Sequence, residues 1–155
     1  MTVEITLEQL QSQLGLAGVE WLSPETNRFD GIVAAEKLLD TVKALRSMKT
    51  FYLAAITGLD DGAEKNTLQV LYHFCAGVVV VTVRVTLPST QPVVPSICAI
   101  FSYASPFERE TGEMFGITFS GTPDTSRLFL SDDWSEGIYP MRKDAVIRVD
   151  DDNTK

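Results

Sequence analysis

The sequence predicts an α+β domain, with an antiparallel or mixed sheet, helices packed on one face, and an extended, largely irregular C-terminal tail. Three observations support this prediction: an early apolar stripe at helical spacing, three strand-like runs joined by short connections, and the loss of periodicity after Phe119. Short connections favour antiparallel neighbours, and helices that precede such strands pack on one face of the sheet. We expect residues 1–121 to form the domain and residues 122–155 to form a docking tail of the same structural unit.

The N-terminal third predicts two helices and a short strand. Thr6 to Gln9 has the pattern of a capping box, and leucines at helical spacing follow it up to Gly15. Alternation from Val19 to Trp21 indicates a short strand that Ser23-Pro24 would end. Asp30 is expected to cap a longer helix running to about Met48. The apolar stripe of that helix consists of Ile32, Ala35, Leu39, Val42 and Leu45.

Three strand-like runs follow. Phe51 to Thr57 is apolar throughout, which indicates a central strand or one covered on both faces. Asp60-Asp61-Gly62 is a turn signal. The next two runs, Thr67 to Phe74 and Val78 to Leu87, alternate between apolar and polar residues and are joined by Ala76-Gly77. We therefore expect a β-meander whose last strand has one apolar face and one partly wet face.

Two further helical stretches are expected after the proline-rich loop from Pro88 to Pro95. Ser96 begins a run with apolar residues on one face. The sequence Ser105-Pro106-Phe107-Glu108 then has a serine cap, a proline at the first helical position and a glutamate at the third. We expect the helix that it opens to end at Gly116.

The C-terminal tail contains many large apolar residues and little regular pattern. Such a segment is either disordered or laid on a surface, and its apolar content weighs against disorder. Two interpretations stay open, because the tail could wrap onto its own domain or dock on another protein. The large apolar residues are Leu128, Phe129, Leu130, Trp134, Ile138, Tyr139 and Met141.

Composition excludes several classes of function. The 155 residues contain 13 Lys+Arg and 21 Asp+Glu, giving a formal charge of -8, which disfavours nucleic acid as a partner. No run approaches 18 apolar residues, and the start of the sequence lacks the pattern of a signal peptide. Cys75, Cys98 and the single histidine, His73, lack metal-ligand spacing. We expect a cytoplasmic chain that binds no cofactor or metal and has no catalytic residue.

Glu108, Arg109, Glu110 and Glu113 form a charged cluster on the predicted last helix. Closely spaced carboxylates can act as acid and base when their pKa values are driven apart, so a stand-alone acid/base enzyme is the alternative interpretation. Ion pairing is favoured instead, because Arg109 and Glu113 are four residues apart and can pair on the helix surface.

The stretch from Glu108 to Ile117, ERETGEMFGI, resembles the signature of the thirty-kilodalton subunit family of respiratory complex I. The resemblance continues through Phe119 to Asp124, Leu128 to Trp134, and Tyr139 to Asp144. It implies a cofactor-free α+β subunit in the peripheral, cytoplasmic arm of a membrane-bound redox complex. The C-terminal segment of such a subunit lies against a large subunit homologous to [NiFe] hydrogenases. Partner subunits would carry the iron–sulfur clusters and, in the hydrogenase form, a NiFe centre.

The sequence also departs from the family pattern. Thr122 stands where the family usually has a histidine, Gly112 where an aromatic residue is common, and Ser126 where a basic residue is expected. Ser135 to Tyr139 resembles the version found in energy-converting membrane-bound hydrogenases more than that of the quinone-reducing enzymes.

Together these observations predict a scaffolding subunit of a complex I-like oxidoreductase, on the cytoplasmic side of the membrane. It would contact the hydrogenase-like large subunit and the iron–sulfur small subunit. The interface would use charged pairs and aromatic anchors. The charged candidates are Glu108, Arg109, Glu110, Glu113, Arg142, Lys143 and Asp144, and the anchors are Phe115, Trp134 and Tyr139.

Overall fold

A computed structural model describes residues 7–14 and 19–146 of the chain. Its main feature is a five-stranded mixed sheet with the order β1-β2-β5-β4-β3. Neighbours pair antiparallel, except that β2 and β5 are parallel. The strands are β1 (Glu20–Glu25), β2 (Arg28–Ile32), β3 (Tyr52–Asp60), β4 (Thr67–Ala76) and β5 (Val79–Pro88).

Helices and a small second sheet complete the described fold. α1 (Leu7–Leu14) precedes the sheet, and α2 (Leu38–Ser47) follows a short 3-10 turn at Ala35–Lys37. Later in the chain, α3 (Ser105–Phe115) lies between the strands β6 (Val93–Pro95) and β7 (Thr118–Ser120), which pair in parallel.

The core lies between the helices and one face of the sheet. Alternate residues of β4, including Tyr72 and Phe74, are fully buried, as are the odd-numbered valines of β5. Leu10 of α1 and Val42 of α2 belong to the same buried cluster. This arrangement confirms the predicted α+β class, with alternation of period two in the strands and an apolar stripe on the helix.

The region around Asp30 differs from the prediction. Asp30 does not cap a helix, because it lies in β2, which pairs with Thr82 and its neighbours in β5. Phe29 and Gly31 are buried, and this alternation of period two competes with the helical stripe. The helix begins only at Leu38. The local pattern does not predict the parallel pairing, because it joins strands separated by α2, β3 and β4.

The two edge strands also correct the predictions. Ser23-Pro24 does not end β1, since an edge strand tolerates proline and the register shifts between Leu22 and Glu25. β3 is the other edge strand rather than a central one, and Tyr52 is 55% exposed. The Tyr103 hydroxyl, at 3.0 Å, accepts a hydrogen bond from the backbone N–H of Leu53 on this edge.

Other local predictions have mixed outcomes. The meander from β3 to β5 is confirmed. The predicted turn signal, Asp60-Asp61-Gly62, begins at the last residue of β3, and the turn itself follows at residues 63–66. The stretch after Ser96 is helical only as short turns, including a 3-10 turn at Ser102–Ala104. The predicted capping box at Thr6 and the stop at Gly15 lie outside the described residues.

Candidate docking surface on α3 and the C-terminal segment

Helix α3 is the element on which the candidate surface is built. Pro106 lies in its first turn, where a missing N–H costs nothing, and Gly116 ends the helix with a left-handed φ of +71°. Phe115 packs against β3 at Gly58, where an added Cβ would lie 2.3 Å from the ring. The predicted serine cap is wrong, since Ala104 is the N-cap residue and makes no side-chain capping bond.

Glu108 is a buried structural carboxylate. Although it lies in the first turn of α3, the residue is 1% exposed. It accepts hydrogen bonds from the Ser96 hydroxyl and the Ile97 backbone N–H, each at 2.8 Å, and the Cys98 thiol lies 3.3 Å away. Buried carboxylates need such donors to offset lost hydration. Glu108 therefore ties α3 to the loop at residues 96–98.

Arg109 holds the start of the C-terminal segment, which is the irregular part of the chain at residues 122–146. Its guanidinium lies 3.2 Å from the Asp124 carboxylate and donates to the backbone carbonyls of Ser126 and Arg127 at 2.9 and 2.8 Å. The side chain is only 18% exposed. Because the Ser126 hydroxyl and backbone N–H donate to Asp124, the pKa of that carboxyl lies below its usual range. Asp124 is therefore ionised at neutral pH and pairs with Arg109.

Glu113 holds the next residues of the same segment. Its two carboxylate oxygens accept hydrogen bonds from the backbone N–H groups of Leu128 at 2.6 Å and Phe129 at 2.9 Å. No ion pair joins Arg109 to Glu113 in the described structure, so the predicted pairing between them is wrong. Both side chains instead reach from α3 to the segment beyond β7.

A second set of contacts fixes the segment near Tyr139. The Tyr139 ring covers Gly116, where an added Cβ would lie 2.4 Å from a ring carbon. The Arg142 guanidinium lies 5.1 Å from the centre of that ring and donates to the Phe115 carbonyl at 2.6 Å. The Met141 backbone N–H donates to the Met114 carbonyl at 3.0 Å. The end of α3 thus serves as a platform for residues 139–142.

Asp60, at the end of β3, anchors the last described part of the segment. Its carboxylate accepts a hydrogen bond from the backbone N–H of Lys143 at 2.8 Å. This bond, together with one from the Gly62 backbone, holds the pKa of Asp60 below that of an ordinary aspartate. The sequence places Asp60 only in a turn, because nothing in the local pattern shows a partner more than eighty residues away.

Trp134 and Arg127 shape the loop between the two sets of contacts. The Trp134 indole N–H donates to the Ile138 carbonyl at 2.8 Å, and Arg127 donates to the carbonyls of Ser131 and Trp134. The loop and the chain after it line an open groove of about 1070 Å³. Its floor contains Trp134, Ile138 and Tyr139.

Few of the predicted interface residues face outward. Glu110 is exposed on α3, and Lys143 and Asp144 are exposed beyond it. Three large apolar side chains of the segment are also more than half exposed, namely Phe129 at 65%, Met141 at 57% and Val146 at 71%. The segment is therefore held by its own domain through one set of groups and presents another set to the outside.

The arrangement of the carboxylates offers no support for the acid/base alternative. Glu108 and Glu113 each accept backbone N–H donors, while Glu110 lies on the exposed side of the helix. No group of three or more His, Cys, Asp or Glu residues in the described ranges has the geometry of a metal site.

The other titratable candidates, His73 and Cys98, are hydrogen-bonded or partly buried within the fold. The ring nitrogens of His73 lie 3.1 Å from the Thr57 hydroxyl and 3.2 Å from the Thr82 hydroxyl, and burial lowers the pKa of the imidazole. Burial raises the pKa of the Cys98 thiol, which disfavours the reactive thiolate. No helix in residues 7–14 or 19–146 is long and apolar enough to cross a membrane.

Comparison with known proteins decides the family. The family model described as the 30 kDa subunit of respiratory-chain NADH dehydrogenase matches residues 32–150. The chain belongs to this family. The match contains the whole of α3 and the C-terminal segment up to its last described residue, so the surface described above belongs to the part of the chain that the family shares.

Two curated relatives illustrate the range of the family. The membrane-bound hydrogenase subunit beta of Pyrococcus furiosus is 50% identical over 62 residues, covering 40% of this chain and 36% of that protein. The C subunit of the NADH-quinone oxidoreductase of Moorella thermoacetica is 33% identical over 122 residues, covering 77% of this chain and 80% of that protein. The chain thus spans about a third of the Pyrococcus protein and most of the Moorella protein.

A solved structure shows the same fold. A chain in the structure of the membrane-bound sulfane sulfur reductase, an archaeal respiratory membrane complex, superposes with a TM-score of 0.79. The sequence identity is 22%, and the superposition covers 91% of this chain and 84% of the other. The α+β architecture is therefore shared, while the family model confirms the predicted family resemblance.

Thr122 is the position where the resemblance predicts a departure from the family pattern. It follows β7 at the start of the C-terminal segment, and its hydroxyl oxygen is buried without a hydrogen-bond partner in the described structure. It borders a groove of about 320 Å³ that is also lined by Glu108, Glu113 and Asp124. The departure therefore lies beside the residues that attach the segment to α3.

Proposed function

We propose that this chain is a peripheral-arm subunit of a complex I-like membrane-bound oxidoreductase, and that it scaffolds a hydrogenase-like large subunit for electron transfer. Membership of the family supports this proposal, as does similarity to proteins named as hydrogenase and NADH-quinone oxidoreductase subunits. The 50% identity to the hydrogenase subunit beta favours the hydrogenase form of the complex over the quinone-reducing form.

One observation carries the proposal. An irregular segment, residues 122–146, is fixed by Arg109, Glu113 and Arg142, yet it leaves several large apolar side chains uncovered. Exposed apolar groups on an ordered segment are typical of protein interfaces. A segment that is already ordered loses less conformational entropy when it associates. The C-terminal segment is therefore suited to docking on a partner without first having to fold.

The interface candidates have two different roles in this proposal. Glu110, Lys143 and Asp144 are exposed and make direct contact with the partner. Trp134 and Tyr139 supply the aromatic floor of the groove. The other candidates act through the fold, because they hold the segment in its shape: Glu108, Arg109, Glu113, Phe115 and Arg142.

The chain itself handles no electrons in this proposal and binds no cofactor. Iron–sulfur clusters and, in the hydrogenase form, a NiFe centre reside in the large subunit and the iron–sulfur small subunit. The chain sits on the cytoplasmic side of the membrane and is linked to it only through the complex. Its acidic balance of 13 basic and 21 acidic residues favours protein rather than nucleic acid as the partner.

The test is co-purification of the tagged full-length chain with the large subunit of its host complex. Met141→Glu places a charge on the exposed segment, and Tyr52→Glu places the same charge on β3 at nearly equal exposure, 57% against 55%. We expect Met141→Glu to reduce recovery of the large subunit at least about tenfold, and Tyr52→Glu to leave it unchanged. Equal recovery with both variants, or no recovery with the unmodified chain, would contradict the proposal.

A further inference from the structure

The groove of the C-terminal segment combines an aromatic floor with an acidic rim. Trp134, Ile138 and Tyr139 line it together with Ala145 and the 71% exposed Val146. These residues give the groove apolar lining beside its polar groups. An occupant must therefore present apolar side chains of its own if the contact is to exclude water.

Two exposed carboxylates at this groove form no ion pair in the described residues. Asp144 lines the groove, and Glu136 lies between the lining residues Ser135 and Gly137. Both are exposed, and neither forms an ion pair in the part of the chain that the structure describes. Asp133 also lines the groove, and its hydrogen bond to the Ser131 hydroxyl keeps the pKa of the carboxyl below its usual range. The rim is therefore negatively charged at neutral pH.

The guanidinium of Arg142, a cationic group in the groove lining, is already bonded to the domain. Arg142 lines the groove, but its guanidinium donates to the Phe115 carbonyl and lies over the Tyr139 ring. These contacts direct the Arg142 guanidinium toward α3, so that it does not face a molecule bound in the groove. Because Arg127 acts electrostatically on Asp133, the carboxylates left without a nearby cation partner among the described residues are those of Asp144 and Glu136.

From these observations we infer that the groove of residues 131–146 binds a basic segment of the large subunit, in which Arg or Lys residues alternate with apolar side chains. This inference rests on the proposed function, because it names the chemistry of the partner at the same surface. Cations would pair with Asp144 and Glu136, while the indole of Trp134 offers a ring face that attracts a cation as well as apolar groups. Charge complementarity would set the register and the rate of association.

The experiment measures the dissociation constant between the full-length chain and the purified large subunit at low and at high salt. The test variant is Glu136→Lys/Asp144→Lys. The matched control is Glu20→Lys/Asp40→Lys, which reverses two exposed carboxylates of β1 and α2. We expect the test variant to bind at least about tenfold more weakly at low salt, with a smaller difference at high salt, and the control to bind within about twofold of the unmodified chain.

Met141→Glu separates the possible failures. If Met141→Glu weakens binding while the test variant behaves like its control, the segment docks but its groove does not take a basic partner, and the inference is overturned. If neither weakens binding, the proposed function fails as well. Stronger binding by the test variant would show that the occupant is acidic. Self-association of the unmodified chain that the test variant abolishes would identify a second copy as the occupant, which also overturns the inference.

Discussion

Glu108 and Glu110 show how two carboxylates on one short helix serve different purposes. Glu108 is 1% exposed and accepts hydrogen bonds from Ser96 and Ile97, whereas Glu110 faces solvent. The sequence places both in the same ERE motif, and their spacing alone does not distinguish them. The difference arises because the loop at residues 96–98 returns to the buried side of α3.

We expect Glu108→Ala to lower the free energy of unfolding by about 2–4 kcal/mol, since it leaves buried donors of the 96–98 loop without an acceptor and opens a cavity. Glu110→Ala is the matched control and should change it by less than about 0.5 kcal/mol. Urea denaturation followed by circular dichroism measures both. Similar values for the two variants would show that Glu108 does not support the fold.

Asp60 links the end of β3 to the C-terminal segment and makes that link sensitive to pH. Its pKa in the folded chain is lowered, chiefly by the backbone N–H of Lys143. A lowered pKa means that the ionised form stabilises the fold above the unfolded-state pKa of about 3.9, and that this contribution is lost as the pH falls further. The contribution is therefore fully present at neutral pH.

We expect Asp60→Asn to be less stable than the unmodified chain at neutral pH, and the difference to shrink as the pH falls below about 4. Thermal unfolding of both chains across this range measures the difference directly. The comparison cancels the titration of the other acidic groups. A difference that stays constant with pH would mean that ionised Asp60 does not hold the segment.

At the scale of elements, the sequence correctly predicts the helices and strands in which the pattern of apolar residues is long and uninterrupted. β4 and β5 are predicted correctly because ten-residue runs alternate between buried and partly exposed positions. β2 escapes prediction because its five residues overlap the start of a helical stripe, and its partner β5 lies far along the chain. The prediction of β3 as central or covered on both faces is wrong, because β3 lies at the edge of the sheet and its outward face leaves Tyr52 55% exposed. The local sequence does not show whether another part of the protein packs on an apolar face of a strand.

The contacts between α3 and the C-terminal segment are predictable only in part. The family resemblance singles out Arg109, Glu113 and Arg142 as functional, and the structure shows them attaching the segment to its own domain. Their partners are mostly backbone groups, which carry no sequence signal. A tail that wraps on its own domain and a tail that docks elsewhere are therefore not exclusive alternatives. In the proposed function, the first arrangement prepares the surface for the second.

Gly116 tests the junction between α3 and the segment. Gly116 and Gly137 both have left-handed φ values, +71° and +77°, but only Gly116 lies against the Tyr139 ring. We expect Gly137→Ala to cost about 1–2 kcal/mol of stability from backbone strain alone. Gly116→Ala should cost more, because the added methyl group displaces Tyr139. Limited proteolysis should then cleave within residues 131–146 faster in Gly116→Ala than in Gly137→Ala. Equal cleavage would contradict a role for Gly116 in seating the segment.

At the scale of the whole molecule, the fold separates stability from recognition. The sheet and helices bury the core, while β3 and α3 supply the anchors for a segment without helix or strand of its own. The chain's proposed contribution to a redox complex is a shaped surface, and residues 124–146 are the part of that surface with the most exposed apolar groups.

Hydrogen–deuterium exchange of the C-terminal segment, in the free chain and in the complex with the large subunit, tests the central claim most directly. In the free chain we expect protection of the amides that are bonded within the chain, including those of Leu128, Met141 and Lys143. In the complex we expect additional protection across residues 131–146, with little change in α2. Rapid exchange of the segment in the free chain, or an unchanged pattern on assembly, would contradict the claim that a preformed segment is the docking surface.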